Sequence, residues 1–384
     1  MDTRSAIIGV GYTALTANSN LSVLELATSA VRTAMADAGL TARDIDGIGS
    51  YSLGDSVRTQ AVATALGCES VDYLLDLNLG GQAPCYMVLN ADAAIRAGMA
   101  RTVVLFRALN GRSGIRIGRE RLPGLEPHTA TYRQAVGLDA FPSVVAMWAR
   151  RFMIDTGATE EDLAAVVMAQ RWYASNNERA IIHEELGIDD YFRSPMIASP
   201  FRVADCTREV DGAIAIVITE NARAADAPHP PAYLVGGAYT GGVRSGQDMG
   251  DILLWDDYAK NCMHFLRHRL WSKTGLTPDD IDVAEIYDCF SSAVLFALEG
   301  LGFVERGESG AFIRAGETRP TGRLPVNTNG GLLCEGYVHG MNALAEATLQ
   351  LRGGNGVRQV HDARTALVTS GTLMDGSAVV LTRG

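Results

Sequence analysis

The strongest constraint on what this chain can fold into is an internal repeat. Gly39-Leu40-Thr41-Ala42-Arg43-Asp44-Ile45-Asp46 returns as Gly275-Leu276-Thr277-Pro278-Asp279-Asp280-Ile281-Asp282. Each copy follows a stretch of helical pattern, Leu24 to Ala38 in one case and roughly Tyr258 to Lys273 in the other. Glycine then ends the helix and a strand-like segment follows. A second echo comes later in each half. Gly80-Gly81 opens a helix running to about Gly98, and Ala100-Arg101-Thr102 leads into Val103-Val104-Leu105-Phe106. Gly330-Gly331 precedes a helix running to about Leu351, and Ala363-Arg364-Thr365 leads into Ala366-Leu367-Val368-Thr369. Two echoes in the same order imply two like units.

Strands alternate with helices in both halves, so each should be a layered α/β unit. The helix from Gln82 to Arg96 is apolar around most of its circumference, which places it inside the protein. Two such helices, one per half, packed between two sheets give a five-layer αβαβα sandwich. The predicted units are residues 1–225 and 226–384. A long segment, Asn110 to Phe201, interrupts the first. It holds predicted helices at about Leu138–Thr156 and Glu160–Ser175, the second entered through Thr159-Glu160-Glu161-Asp162. An insertion of this size (about 110–201) reads as a loop domain that would cover a site.

Composition narrows the function classes. The chain has 384 residues and a formal net charge of −11, which argues against nucleic-acid or anionic-membrane partners. Met1-Asp2-Thr3-Arg4 runs straight into Ala6-Ile7-Ile8-Gly9-Val10, which predicts a strand and not a leader. No run reaches the ~18 apolar residues of a membrane span. The cysteines (Cys68, Cys85, Cys206, Cys262, Cys289 and Cys334) form no CxxC pair, and the histidines are scattered. Neither a metal site nor a disulfide framework is expected, and a reducing cytoplasm fits. Gly9-Val10-Gly11-Tyr12 lacks the third glycine and the later acidic residue of a dinucleotide fingerprint.

Four stretches carry a resemblance. They are Asp205-Cys206-Thr207-Arg208-Glu209-Val210-Asp211-Gly212-Ala213; Ile286-Tyr287-Asp288-Cys289-Phe290; Asn327-Thr328-Asn329-Gly330-Gly331 with Gly336-Tyr337-Val338-His339-Gly340; and Thr369-Ser370-Gly371. Together with the duplicated halves they resemble the thiolase superfamily over essentially the whole chain. The branch is that of the sterol-carrier-protein-type thiolases and their lipid-transfer-protein relatives. The resemblance implies the duplicated thiolase fold. It also exposes departures. The acylated cysteine position falls on Gly81, Tyr287 and Tyr337 stand where the two histidines should be, and Ser370 replaces the second cysteine. Cys85 lies one turn deeper in the helix and reads as a small core residue. Covalent acyl transfer by the family's route is therefore not available.

What remains suits a carbanion. The helix beginning near Gly81 would present unpaired N–H groups at its positive end. A glycine there would let a ligand approach the backbone. Such donors hold a thioester oxygen more tightly as an enolate forms. Retro-aldol cleavage also needs a base for a β-hydroxyl and an acid for the departing enolate. Tyr287 and Tyr337 are the candidate pair, with the assignment of base and acid open between them. His339 and Asp288 are candidate orienting groups, and His339 could itself be the base. Gly81, Gly331, Gly336 and Ser370 are the candidate lining of the thioester/CoA pocket. Asn327 and Asn329 read as turn residues. Trp148, Trp172, Trp255 and Trp271 read as packing anchors.

Relatives that lack the cysteine and carry this pattern look like aldolases of bacterial steroid side-chain degradation. The resemblance implies cleavage of a β-hydroxy steroid acyl-CoA to a ketone and a short acyl-CoA such as propionyl-CoA. No cofactor is implied, CoA being part of the substrate. A homodimer is implied, as is a small separate partner with an OB-fold and a zinc ribbon. The basic stretch Gly111 to Arg121 could meet CoA phosphates or that partner, or be a solvated loop face. Two other readings stand beside this one: an acyl-CoA thiolase or acyltransferase using a cysteine, and a non-catalytic lipid- or acyl-CoA-binding protein.

Overall fold

The repeat organises the molecule. A computed structural model describes residues 5–114, 116, 135–138, 140–242, 256–257 and 259–384. The first half runs β1 (Ser5–Tyr12), α1 (Val23–Asp37), β2 (Gly47–Tyr51), α2 (Thr59–Leu66), β3 (Tyr73–Leu77), α3 (Ala83–Arg96) and β4 (Thr102–Asn110). The insertion follows, with α4 (Phe141–Thr156), α5 (Glu160–Ser175), α6 (Ile188–Arg193), β5 (Met196–Ala198) and β6 (Phe201–Arg202). β7 (Asp211–Glu220) and α7 (Asn221–Ala224) complete this half. The second half runs β8 (Ala232–Thr240), α8 (Cys262–Thr274), β9 (Val283–Glu285), α9 (Ser292–Leu301), α10 (Ser309–Arg314), α11 (Gly331–Cys334), α12 (Met341–Arg352), β10 (Thr365–Ser370) and β11 (Gly376–Arg383). The expected break at 225/226 falls between α7 and β8. Tyr258 and Trp255 lie outside the described residues.

The strand order is β3-β2-β4-β7-β1-β8-β11-β10-β9. It reads the same outward from its centre. β1–β7 and β7–β4 are antiparallel and β4–β2 is parallel. On the other side β8–β11 and β11–β10 are antiparallel and β10–β9 is parallel. The outermost pair, β2–β3, has its counterpart in a parallel bridge between Ala284 and Val326. The halves join where Ala6 and Ile7 of β1 meet Tyr233 and Ala232 of β8.

The echoed residues recur because each has a job in both halves. Gly39 and Gly275 end their helices at φ +68°, a conformation that costs any L side chain energy. Thr41 and Thr277 cap a single turn of 3-10 helix, and Asp44 and Asp280 return a carboxylate to their main-chain N–H at 2.9 and 2.7 Å. Ile45 and Ile281 are buried. Asp46 accepts the N–H of Arg101 and Thr102 at 2.9 and 2.8 Å, and Asp282 those of Arg364 and Thr365 at 2.8 and 2.9 Å. Each aspartate therefore ties the start of one strand to its parallel neighbour.

Three apolar clusters pack the helices against this sheet. α1 packs on the outer face of the first-half strands through Ala30, Ala34, Ala213, Ala215 and Val217. The small residues matter here: a Cβ on Gly9 or Gly11 of β1 would stand 2.3 or 2.2 Å from α1 carbonyl oxygens. The opposite face carries Ile214, Ile216 and Ile218, which meet α3 and α12 together with Val368, Val379 and Leu381. The third cluster lies on the outer face of the second half, with α8, α9 and the inserted helices α4 and α5. β7 and β11 are thus apolar on both faces, as strands sandwiched between helical layers should be.

One expectation needs correction. The second buried helix does not follow Gly330-Gly331 directly. A four-residue turn, α11, comes first, and α12 begins only at Met341. The intervening loop carries Tyr337 and His339. The predicted start of α4 at Leu138 moves to Phe141, with Pro142 in the first turn. α5 begins as expected from the Thr159 cap.

Candidate active site

Tyr287 lies two residues past β9, at the carboxyl end of the strand. Its backbone is pinned: the Ile286 N–H donates to Asn327 Oδ1 at 2.6 Å and the Tyr287 N–H to Thr369 Oγ1 at 2.9 Å. The ring then passes between two glycines. A Cβ on Gly81 would lie 2.0 Å from the Tyr287 hydroxyl, and one on Gly340 would lie 3.0 Å from its ring. Tyr337 comes from the loop between α11 and α12. Its N–H donates to the Arg208 carbonyl at 2.8 Å, and Glu209 bridges to it in parallel. The stretch from Asp205 to Val210 therefore positions this tyrosine. The two hydroxyls meet at 2.8 Å.

Burial pushes both phenols above the ordinary tyrosine value. Either hydroxyl can donate to the other. The charge of Arg107 favours ionisation of Tyr337.

His339 shares the loop, with φ +53°. Its ring lies 5.1 Å from that of Tyr337 and 5.9 Å from that of Tyr51. Its carbonyl accepts the Tyr51 hydroxyl at 2.7 Å. Behind it lies a buried ion pair, Arg107 with Asp55 at 2.5 Å, both side chains 3% exposed or less. Asp55 stays below the usual carboxylate range because Arg107 outweighs the opposing effect of burial. Burial, and then the charge of Arg107, depress His339 to about 3. A ring held so firmly neutral is a weak proton acceptor, which does not suit the general-base alternative.

Asp288 does not orient Tyr287. Its carboxylate accepts the N–H groups of Leu332 and Leu333 at 2.9 and 3.3 Å and so caps α11. Burial raises it to about 8 against those bonds. Gly331 permits the approach, since a Cβ there would meet Asp288 Oδ2 at 2.2 Å. Asp288 and Gly331, with Tyr287, Gly340 and Asn342 among others, line a cavity of about 10 Å³, roughly the room of one water. Gly336 takes φ +128° beside Val210 and Leu15, so its role is to turn the loop.

The start of α3 also differs from expectation. The Cys85 N–H donates to Ser370 Oγ at 3.2 Å, the Tyr86 N–H to Ser377 Oγ at 3.0 Å and the Ala83 N–H to the Gly80 carbonyl. Pro84 has no N–H. These donors are occupied by the protein, and the space over Gly81 is filled by the ring of Tyr287. Ser370 also reaches Cys85 Sγ at 3.2 Å. Cys85 is wholly buried, and burial pushes its thiol up to about 12. Cys334 is pushed equally high, and Cys289 is also raised. None of the three is poised as a thiolate.

Sequence reasoning missed the groups that hold the loop. Glu335 accepts from Asn329 and Asn342, each at 2.6 Å, and from Arg179 of the insertion at 3.2 Å. Asn342 also donates to the Gly336 carbonyl at 3.1 Å and accepts the Val338 N–H at 3.3 Å. Tyr51, Asp55 and Arg107 were missed as well, although the repeat pointed at two of them. Five residues past the echoed Asp46 and Asp282 stand Tyr51 and Tyr287, and five past Thr102 and Thr365 stand Arg107 and Ser370. In the basic stretch, Arg116 pairs with Glu209 at 2.5 Å, and Asp211 accepts the N–H of Arg112 and Ser113. Residues 115 and 117–121 lie outside the described residues. Among those described, no His/Cys/Asp/Glu group could hold a metal ion, and no helix is long and apolar enough to cross a membrane.

Comparison with known proteins agrees with this geometry. Residues 261–383 match the family described as thiolase C-terminal domain-like. The chain is 38% identical to the 17-hydroxy-3-oxo-4-pregnene-20-carboxyl-CoA lyase of Mycobacterium tuberculosis, over 98% of this chain and 99% of that protein. It is also 38% identical to the steroid side-chain-cleaving aldolase of Thermomonospora curvata, over 98% and 97%. A solved structure named Ltp2-ChsH2(DUF35) aldolase superposes with a TM-score of 0.92 at 37% identity, covering 99% of this chain and 98% of that one. With full-length relatives at this identity, the chain belongs to the thiolase superfamily, in the branch that contains the side-chain-cleaving aldolases.

Proposed function

We propose that this protein is a carbon–carbon lyase that cleaves a β-hydroxy acyl-CoA, of steroid side-chain type, by a retro-aldol reaction. The observation that carries this reading is the 2.8 Å hydrogen bond between Tyr287 and Tyr337 against Gly81. Two proton carriers in contact beside Gly81 support a reaction that needs a base and an acid. The names of both full-length relatives, a lyase of a steroid carboxyl-CoA and a steroid side-chain-cleaving aldolase, support the substrate class.

The proton ledger of the reaction closes within the pair. One proton leaves the substrate hydroxyl as the carbon–carbon bond breaks to a ketone, and one must reach the enolate carbon of the short acyl-CoA. Tyr337 takes the first as it releases its own proton toward Tyr287. The bond between the phenols passes one on, and Tyr287 delivers one to carbon. The pair ends neutral, which matters because burial disfavours a lasting phenolate. The products are a ketone and a short acyl-CoA such as propionyl-CoA.

The chain acts without a bound cofactor, in the cytoplasm, as part of a larger assembly. A homodimer through β3, the edge strand among the described residues, where Leu74 is 45% exposed, fits the sheet order. A small OB-fold and zinc-ribbon partner fits the solved neighbour, whose name pairs Ltp2 with ChsH2(DUF35). The test is to purify the chain with its partner, treat it with iodoacetamide, and follow a β-hydroxy steroid acyl-CoA by mass spectrometry. Ketone and short acyl-CoA should appear at the untreated rate. Loss of activity on alkylation would favour a cysteine acyltransferase, and binding without release would favour a carrier.

A further inference from the structure

Arg107 is fully buried on β4, next to the reaction site but out of reach of the tyrosine hydroxyls. It donates through Nη1 to the Tyr51 carbonyl at 3.1 Å and through Nη2 to Asp55 at 2.5 Å. The same Nη2 lies 3.2 Å from His339 Nδ1. A guanidinium has donors only, so Nδ1 must be the acceptor of this contact. An accepting Nδ1 carries no proton. A neutral imidazole has one N–H, which must therefore be on Nε2. Protonation of the ring would set a second cation against a buried guanidinium, which the site resists.

Nε2 points the other way, into the site. It is 3.4 Å from where a Cβ of Gly80 would be, and the next residue is Gly81, whose Cβ would meet the Tyr287 hydroxyl. It meets no acceptor among the described residues. The backbone holds it there in a conformation an L residue rarely adopts. Gly340 follows at φ +99°, and the Tyr51 hydroxyl clamps the His339 carbonyl. Ser370 and Ser377 occupy the Cys85 and Tyr86 donors of α3, which gives a donor from elsewhere a part to play.

We infer that His339 Nε2–H donates to the thioester oxygen as the enolate forms, and that Arg107, charge-balanced by Asp55, is the positioning residue that fixes this tautomer. The inference deepens the lyase reading above and rests on it for the identity of the oxygen. The positive charge behind the ring makes its N–H a stronger donor in a site of low dielectric. The groups facing the ring are Arg107 from β4, Tyr51 from the end of β2, Asp55 from the loop after it, and Tyr337 from its own loop.

The first test needs no turnover. The full chain, labelled with 15N-histidine, is measured by solid-state NMR across pH 5.5–9, with His339 assigned by its absence from His339→Gln. The expected spectrum is the neutral Nε2–H tautomer throughout. An Nδ1–H tautomer, or titration near the ordinary histidine value of about 6.5, overturns the inference. The second test is kinetic. His339→Phe should lower kcat by roughly 10²–10³-fold with KM little changed, the effect of losing one oxyanion donor. His339→Gln, which keeps an N–H, should recover part of that loss. In the charge-balanced Arg107→Gln/Asp55→Asn double variant, both tautomers should appear and kcat should gain an acid limb. Wild-type kcat in His339→Phe, or an unchanged tautomer in the double variant, refutes the assignment. If the wild-type chain releases no ketone, the lyase reading falls instead, while the NMR result still decides what Arg107 does.

Discussion

The two halves place tyrosine at the same point, where a strand leaves the sheet beneath the loop of residues 336–340, and use it differently. In the first half the Tyr51 hydroxyl donates to the main chain of that loop, and the Arg107 guanidinium lies 5.1 Å from the Tyr51 ring centre. In the second half the Tyr287 hydroxyl meets the side chain of the same loop at Tyr337. One strand end holds the main chain of the loop and the other is hydrogen-bonded to a side chain that the loop carries. The next strands diverge in the same way. Arg107 in the first half is a buried cation, while Ser370 in the second is a small hydroxyl that closes the start of α3. A duplicated scaffold thus keeps the groups that align its strands and lets the strand ends specialise.

The largest expected effect tests whether the tyrosines differ as described. Tyr287→Phe and Tyr337→Phe should each lower kcat by about 10²–10³-fold, the scale of acid–base catalysis, with unchanged thermal unfolding. Tyr51→Phe should instead cost about 1 kcal/mol of stability, one buried hydrogen bond, and reduce kcat far less. Equal kinetic losses at Tyr51 and Tyr287 would erase the distinction. Next in size is Gly81→Cys, which puts a thiol where the family resemblance sets the acylated cysteine. Its Cβ would stand 2.0 Å from the Tyr287 hydroxyl, so the ring must move. Lyase activity should fall at least ~10²-fold, as for loss of the acid itself, with no acyl transfer gained. Full lyase activity in the Gly81→Cys variant would show that the Tyr287–Gly81 contact is not needed.

The repeat was legible because its residues serve the backbone. A glycine at positive φ and an aspartate accepting two N–H groups leave the same letters wherever the geometry recurs. Tyr287 and Tyr337 stood out only through the family resemblance, since nothing local to either one reveals the other. Arg107 was hidden by its setting, a single charge in the apolar strand Val103 to Leu109, although carrying the echo forward leads straight to it. The late start of α12 was not legible, because Gly330-Gly331 looks like Gly80-Gly81. What distinguishes them is the carboxylate of Asp288, which caps α11 from the other side of the loop. The Glu335 network was equally hidden, because it joins Arg179 of the insertion to the loop across a long stretch of sequence.

A smaller pair of effects measures how alike the scaffolds are. Asp46→Ala and Asp282→Ala each strip an acceptor from two backbone donors and should each cost about 1–3 kcal/mol in denaturant unfolding. Similar values would confirm equivalent roles. A cost confined to one half would mean that only one tie bears on the alignment of its strands.

The smallest effect concerns a position where the halves differ outright. Gly49 on β2 corresponds to Glu285 on β9, a buried carboxyl. Thr328 Oγ1 lies 2.7 Å from Glu285, 2.9 Å from Glu346 and 2.9 Å from the Gln350 amide, which donates to it. The Thr328 hydroxyl has one hydrogen. Glu346 is held ionised by Arg358 and Arg179 against the effect of burial, so it is the better acceptor. Glu285 must then supply its own proton. Burial, and next the charge of Glu346, hold it well above the usual glutamate value. The sign follows from linkage. Below the ordinary glutamate value both folded and unfolded chains keep the proton, and Glu285 is neutral in effect. Above it the unfolded chain releases the proton while the folded chain keeps it, so stability falls as pH rises. Glu285→Gln keeps a hydrogen-bonding group without that penalty. Relative to wild type it should gain roughly 1 kcal/mol, the scale of one buried polar group, between pH 4 and pH 8 in urea unfolding. A difference independent of pH would show that Glu285 is ionised in the folded protein and that the buried charges of the second half are balanced in another way.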